Sequence, residues 1–270
     1  MGKHALLSAS SSHRWLNCPP SARLCEKYED TGSEYAQEGT DAHSLCEYRL
    51  KQALGMDAAD PTENLSFYNE EMEQCALDYA AYVLELVEGA KKSCKDPVVL
   101  IEQRLDFSRF VKDGFGTGDC VIIADGTLDI VDYKHGKGVE VSAVENPQMM
   151  LYALGALELF DGIYDIDTVR MTIFQPRRDN VSVSIMAKDD LLQWACNDLT
   201  YKAKLAYEGG GEFAVGIGAG SVKRRRSAGR GRSTTWNWRN MILRCQTHWR
   251  MRRLPPSWTK WMNWPPGLRT

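Results

Sequence analysis

The chain has 270 residues, of which 43% are hydrophobic, and this is enough for the core of one large domain or two small ones. It has no run of about 18 apolar residues that would cross a membrane, and its N-terminus lacks the apolar segment of a secretion signal. We therefore expect a cytoplasmic protein whose eight cysteines are mostly reduced. The charge is uneven: 13 of the 33 Lys and Arg residues but none of the 36 acidic residues follow residue 222, so residues 1–222 carry −16.

Helices are predicted first along the chain. A short amphipathic helix fits between residues 11 and 28, where the two prolines of "NCPPS" interrupt it or start a second helix. Thr40 is the candidate N-cap of a helix that ends near Leu54, which would put His43 at the third helical position. Residues 69–93 carry apolar side chains at 3.6-residue spacing, and this predicts a long amphipathic helix.

Strands follow, with one helix between them and one after them. The run at residues 98–107 predicts a strand, and "CVIIA" and "LDIV" on either side of "DG" predict a β-hairpin over residues 118–134. Residues 145–160 have a helical pattern, "TVRMTIFQP" and "NVSVSIMA" form a second strand pair, and "KDDLLQWACNDLTYKAKLAYE" predicts the last helix. This order of helices and strands predicts an α/β fold.

The hairpin carries charged residues where a core strand would carry Val or Ile. Asp119 opens its first strand, and Asp132 and Lys134 end its second, two residues apart and so on one face. Tyr133 between them points to the other face, toward the core. A phosphodiester hydrolase needs carboxylates to hold a divalent metal and a fixed cation beside the phosphate. The alternative is a surface ion pair worth under about 1 kcal/mol.

Four short motifs occur in chain order around this hairpin. They are "GTDAH" ending at His43, "GD" at Asp119, "DYKHG" from Asp132 and "QMMLY" from Gln148 to Tyr152. Together they resemble the PD-(D/E)xK nucleases, specifically the RecB-type branch, and the uncharacterised members encoded by phages and prophages. The resemblance implies a restriction-endonuclease-like core, which is a central mixed sheet flanked by helices, with N-terminal helices, over residues 1–215.

The resemblance also implies a role for each matching residue. His43, Asp119 and Asp132 would bind Mg²⁺ or Mn²⁺, and the imidazole makes the site friendlier to Mn²⁺ than an all-oxygen site. Asp119, Asp132 and Lys134 would be the catalytic residues, with Lys134 orienting the attacking water or stabilising the phosphate.

Further residues fit less specifically. Gln148 and Tyr152, four apart on one helix face, would position DNA near the scissile phosphate. Glu102, on the strand before the hairpin, is a possible additional acid. The alternatives are helix packing for Gln148 and Tyr152 and a solvated helix histidine for His43. The four motifs in the same order favour the site.

The function implied by the resemblance is metal-dependent hydrolysis of DNA. An exonuclease or end-processing enzyme of phage DNA replication or recombination is expected rather than a sequence-specific cutter. DNA is the expected substrate, and a phage single-stranded-DNA-binding or recombination protein is a plausible partner. The alternative is a non-catalytic DNA-binding module of the same fold, although such a module has no need of Lys134.

Cys18 matches the first ligand of an iron–sulfur subset of these nucleases. That subset holds a [4Fe–4S] cluster with one cysteine before the histidine motif and three after the last helix. The three later cysteines are absent at the matching place, where the chain reads "IGAGSVKRRRSAGRGR". We therefore expect Cys18 to be a remnant ligand and the cluster not to assemble in this chain.

Residues 216–270 form a basic segment with six of the eight tryptophans. One interpretation is a nucleic-acid-binding arm, since Lys and Arg neutralise phosphates and Trp stacks on bases. The other, which we favour, is a slipped reading frame, because a shifted frame of the same stretch can encode a C-x-x-C-x₅-C pattern. On that interpretation the segment would be disordered or misfolded.

Overall fold

The computed structural model describes residues 5–28 and 33–214, which belong to one compact unit. The basic segment at residues 216–270, with both interpretations given for it, lies outside the described residues. The helices are α1 (Ser12–Asn17), α2 (Ser21–Cys25), α3 (Glu34–Ala53), α4 (Glu70–Ser93), α5 (Pro147–Phe160), α6 (Lys188–Trp194) and α7 (Thr200–Glu208). The strands are β1 (Val98–Asp106), β2 (Phe115–Ala124), β3 (Gly126–Tyr133), β4 (Ile166–Gln175) and β5 (Asn180–Ala187).

The five strands form one sheet in the order β1-β2-β3-β4-β5. The strands β1, β2 and β3 are antiparallel neighbours, β3 and β4 are parallel, and β4 and β5 are antiparallel. A parallel pair needs a crossover connection, and α5 supplies it between β3 and β4. The predicted central mixed sheet with flanking helices is confirmed.

Each face of the sheet covers its own core. The first core lies under α5, where the nine residues from Met149 to Leu157 are all buried, and it includes Trp15 of α1 and Leu191 of α6. The second core lies under α3 and α4 and includes Tyr79 of α4. This arrangement explains why α5 is apolar on every side, whereas α4 has one apolar face.

The start of α3 differs from the prediction. The helix begins at Glu34, and the Ser33 side chain caps it by accepting a hydrogen bond from the Ala36 N–H at 3.1 Å. Thr40 lies inside the helix, where its hydroxyl donates to the Ala36 carbonyl, so the predicted N-cap at Thr40 was wrong. The first turn of α3 is exposed and lacks the apolar periodicity that marks a helix, so His43 lies in mid-helix.

The other helix starts agree with the sequence. Residues 11–28 form the two short helices α1 and α2, separated by the prolines. Asn69 caps α4 through the Met72 N–H at 2.9 Å, and Asn146 caps α5 with Pro147 in its first turn. None of the described helices is long and apolar enough to cross a membrane.

Candidate metal centre

The candidate metal centre lies where the backbone pairing between β2 and β3 ends. Their backbone pairing runs from the turn only as far as Cys120 and Val131, while β3 continues to pair with β4 up to Tyr133. Beyond Cys120 a side chain replaces the missing backbone acceptor, because Asp119 Oδ2 accepts a hydrogen bond from the Tyr133 N–H at 2.7 Å. The split leaves an opening at the sheet that helices from both layers reach.

The helix α3 delivers His43 to this opening. His43 Nδ1 lies 3.3 Å from Asp119 Oδ1, so Asp119 uses one oxygen for the Tyr133 backbone and the other for the imidazole. The Tyr133 ring, buried in the second core, meets the His43 ring edge-on with centroids 5.6 Å apart. The exposed fraction is 34% for the His43 side chain and 12% for the Asp119 side chain, so the pair stays accessible from one side.

Glu102 joins these two residues from β1. One ligand atom each from His43, Glu102 and Asp119 lies within 4.8 Å of the others. Within residues 5–28 and 33–214, no other set of three His, Cys, Asp or Glu side chains meets this spacing. Imidazole nitrogen and carboxylate oxygen are donors suited to Mn²⁺, and the carboxylates also suit Mg²⁺.

A second set of side chains continues the centre on the α5 side. Asp132 Oδ1 accepts a hydrogen bond from Gln148 Nε2 at 3.0 Å, and Asp132 Oδ2 lies 2.8 Å from Lys134 Nζ. Lys134 also donates to Gln148 Oε1 at 3.3 Å, and Gln148 Nε2 donates to the Tyr152 hydroxyl at 3.1 Å. The predicted common face of Asp132 and Lys134 and the predicted burial of Tyr133 are therefore both observed.

Two glycines let α5 approach the sheet closely enough for these contacts. A Cβ at Gly116 of β2 would lie 2.7 Å from the Tyr152 ring, so a side chain there would push the tyrosine away. A Cβ at Gly155 of α5 would lie 2.9 Å from the Leu105 Cβ and 3.1 Å from its backbone carbonyl carbon. The "QMMLY" motif therefore reaches β3 only because small residues stand on both sides.

Burial and neighbouring charges shift the pKa values of the residues at the centre. Burial lowers the pKa of His43, but the charges of Asp119 and Asp132 outweigh burial and raise that pKa to about 9. Burial and the negative charge of Asp119 raise the pKa of Glu102 to about 7. Burial lowers the pKa of Lys134, yet the adjacent Asp132 carboxylate raises it by more and keeps the ammonium charged. A bound cation would compete with protons for His43 and Glu102.

The residues present fit a divalent cation. Asp132 Oδ2 is buried, and its partner among the described residues is the Lys134 ammonium, 2.8 Å away. Glu102, Asp119 and Asp132 thus bring three carboxyl groups to a place with one lysine, and a divalent cation would offset their charge. His43, Glu102 and Asp119 would hold such an ion, with Asp132 beside them.

The structure brings the site residues predicted from the sequence into one contiguous set. Asp132, one of the three expected metal ligands, contacts Lys134 and Gln148. Glu102, predicted only as a possible additional acid, lies close to His43 and Asp119.

Sequence reasoning missed a charged network behind the centre. His135 is buried, its Nδ1 is hydrogen-bonded to the Tyr133 hydroxyl at 2.8 Å, and its Nε2 lies 3.4 Å from Glu38 of α3. Arg177 pairs with both Glu38 at 2.7 Å and Glu71 of α4 at 3.1 Å. His135 is the histidine of the "DYKHG" motif, so the sequence contained a signal for it. These contacts fix the loop after Lys134 to the α3–α4 layer.

Cys18 lies immediately after α1 and is 4% exposed. The segment that would carry its expected cluster partners begins after the last described residue, Ala214. The interpretation of Cys18 as a remnant cluster ligand therefore stays a prediction.

The fold and the site define an α/β protein with a candidate metal centre at a split in its sheet. Residues 4–231 match the family described as "Protein of unknown function (DUF2800)", and because this match covers most of the chain, the chain belongs to that family. A solved structure described as "Crystal structure of SSO0001" is 11% identical, with 68% of this chain and 94% of that chain covered. The TM-score is 0.24, which is too low to support an inference.

Proposed function

We propose that the protein is a metal-dependent nuclease that hydrolyses phosphodiester bonds in DNA. The observation that carries the proposal is the convergence of His43, Asp119 and Asp132 with a charged lysine, Lys134, at one opening of the sheet. Carboxylates and imidazole suit a divalent ion, and a fixed ammonium suits the charge that develops on a phosphate.

Lys134 is the group we assign to the phosphate or the attacking water. Its ammonium is held between Asp132 and Gln148, at 2.8 and 3.3 Å, so it needs little reorganisation during the reaction. A bound Mg²⁺ or Mn²⁺ would polarise the phosphate and lower the pKa of a water molecule. His43 must lose its proton before its nitrogen can act as a ligand.

Gln148 and Tyr152 are the residues we assign to substrate positioning. The Tyr152 hydroxyl accepts a hydrogen bond from Gln148 and so keeps its own proton to donate to a phosphate oxygen. Burial raises the pKa of Tyr152 above its usual range, which keeps that proton in place at neutral pH.

The biological setting is part of the same proposal. It is supported by the four-motif resemblance, which favours an exonuclease or end-processing enzyme of phage or prophage DNA replication or recombination, acting in the cytoplasm. A single-stranded-DNA-binding or recombination protein of the phage is the proposed partner.

The test is cleavage of end-labelled linear DNA, single- and double-stranded, by the full chain with Mg²⁺, Mn²⁺ or EDTA. We expect metal-dependent products that fall about 10²–10³-fold in Lys134→Met and Asp119→Asn. Lys137→Met is the matched control, because Lys137 is in the same loop but pairs with Glu71 on the surface.

Two outcomes would count against the proposal. Cleavage that survives both substitutions would show that another site or a contaminant acts. DNA binding without cleavage by the wild-type chain under every metal condition would favour the non-catalytic module.

A further inference from the structure

In both β1 and β2, the side chains that face one core on one side of the centre face the other core beyond it. In β1, Ile101 packs against the second core and Leu105 belongs to the first, although residues four apart in a regular strand share a face. In β2, Cys120 belongs to the second core, but a Cβ at Gly118 would meet Leu105 of the first. The changes occur at Glu102 and Asp119, which stand opposite each other in the register.

Glu102 adopts a backbone conformation that its residue type rarely adopts. Its φ is +50°, in the left-handed region, within a strand whose neighbouring residues Ile101 and Gln103 remain paired with β2. This conformation is unfavourable for a residue with a Cβ and persists where the surroundings enforce it, most often at functional sites. Glycine would adopt it without strain, yet the chain has glutamate here.

Among the described residues, no side chain or backbone group donates a hydrogen bond or forms an ion pair with the Glu102 carboxylate. Its ligand atom nevertheless lies within 4.8 Å of those of His43 and Asp119. Asp132, by contrast, is paired with Lys134 at 2.8 Å.

We propose that Glu102 is a ligand of the divalent ion, in a set with His43 and Asp119, and that its left-handed backbone exists to place it there. The inference rests on the metal centre of the proposed function but not on DNA cleavage. A cation accounts at once for two facing carboxylates and a strained glutamate. Asp132 lies beside this set and also holds Lys134 and Gln148.

The test is Mn²⁺ binding to the full chain by calorimetry, together with the Mn²⁺-induced rise in Tm. Since loss of a partner even outside the direct ligands lowers metal affinity 10–100-fold, we expect Glu102→Gln to weaken Mn²⁺ binding at least about tenfold. Glu47→Gln is the matched control: it removes the same charge one turn after His43, where Glu47 pairs with Lys51, and should change the affinity less than about threefold.

A second pair of variants tests the backbone part of the inference. In EDTA, Glu102→Gly should have a higher Tm than Glu102→Ala, because glycine accepts the left-handed conformation; in a regular strand the order would be the reverse. Both variants should lose the Mn²⁺-induced rise in Tm.

The outcomes separate the two proposals. Unchanged Mn²⁺ affinity in Glu102→Gln, or a Glu102→Gly variant less stable than Glu102→Ala in EDTA, would overturn the inference. Glu102-dependent Mn²⁺ binding in a protein that cleaves no DNA would uphold the inference and reject the nuclease. Absence of Mn²⁺ binding to the wild-type chain would reject both.

Discussion

Replacing Glu102 by Gln should stabilise the metal-free protein above pH 7. The carboxyl faces Asp119 in a partly buried position, and its pKa is raised from 4.5 to about 7. A folded-state pKa above the unfolded value means that the protonated form stabilises the fold. That contribution is fully present below pH 4.5 and is lost as the pH rises through 7.

The size of the effect follows from the shift. A pKa raised from 4.5 to about 7, at 1.36 kcal/mol per unit, gives an upper limit of about 3.4 kcal/mol, and solvent screening of a partly exposed carboxyl reduces it to about 2 kcal/mol. Gln matches the protonated acid in shape and hydrogen bonding, so the two proteins should differ by less than about 1 kcal/mol near pH 5. The variant should gain its full advantage by pH 8.

Urea unfolding in EDTA at pH 5, 6, 7 and 8 measures this difference. Glu88→Gln is the control, since Glu88 is exposed on α4 and pairs with Lys91 on the surface. A stability difference between wild type and Glu102→Gln that does not change with pH would refute the reasoning. Added Mn²⁺ should reduce the advantage of the variant at pH 8, because the wild type binds the ion more tightly and gains more binding free energy.

Three further outcomes are expected. Ser33→Ala should lower the free energy of unfolding, measured in urea, by about 1 kcal/mol. Thr40→Ala, inside the helix, should leave it unchanged or raise it. Equal losses in the two variants would contradict the assignment of Ser33 as the N-cap. Gly155→Ala should cost about 1–3 kcal/mol in the same assay, because the added Cβ meets Leu105, and no loss would mean that α5 can move away from β1. Mn²⁺ at about 100 times its dissociation constant should raise the wild-type Tm by roughly 5–10 °C relative to EDTA, measured by circular dichroism.

The sheet was predictable because its signals are local. Alternating side chains and the "DG" turn specify the hairpin, and a two-residue spacing puts Asp132 and Lys134 on one face wherever the strand lies. The spacing of Gln148 and Tyr152 on α5 works in the same way. These features can be predicted because they depend on periods of 2 and 3.6 residues rather than on distant contacts.

The features that sequence reasoning missed depend on distant contacts or on unusual backbone. Nothing in "IEQRL" indicates a left-handed residue, since glycine and asparagine are the usual signals and neither is present. The position of Glu102 beside His43 and Asp119 therefore could not be predicted from the sequence. The Tyr133–His135–Glu38 chain of contacts joins β3 to α3 across about 100 residues of sequence, which no local pattern encodes.

Asp113, Glu145 and Asp179 also have positive φ but lie in turns, whereas Glu102 has positive φ within a strand at the centre. Within the centre, Asp119 satisfies the Tyr133 N–H where the pairing of β2 and β3 ends, and Lys134 pairs with the buried Asp132 oxygen, so both irregularities have partners. The strained Glu102 is different, because its conformation is unfavourable and brings its carboxylate next to that of Asp119. A divalent cation would offset both costs, since it would neutralise the facing carboxylates and reward the conformation that places Glu102 there.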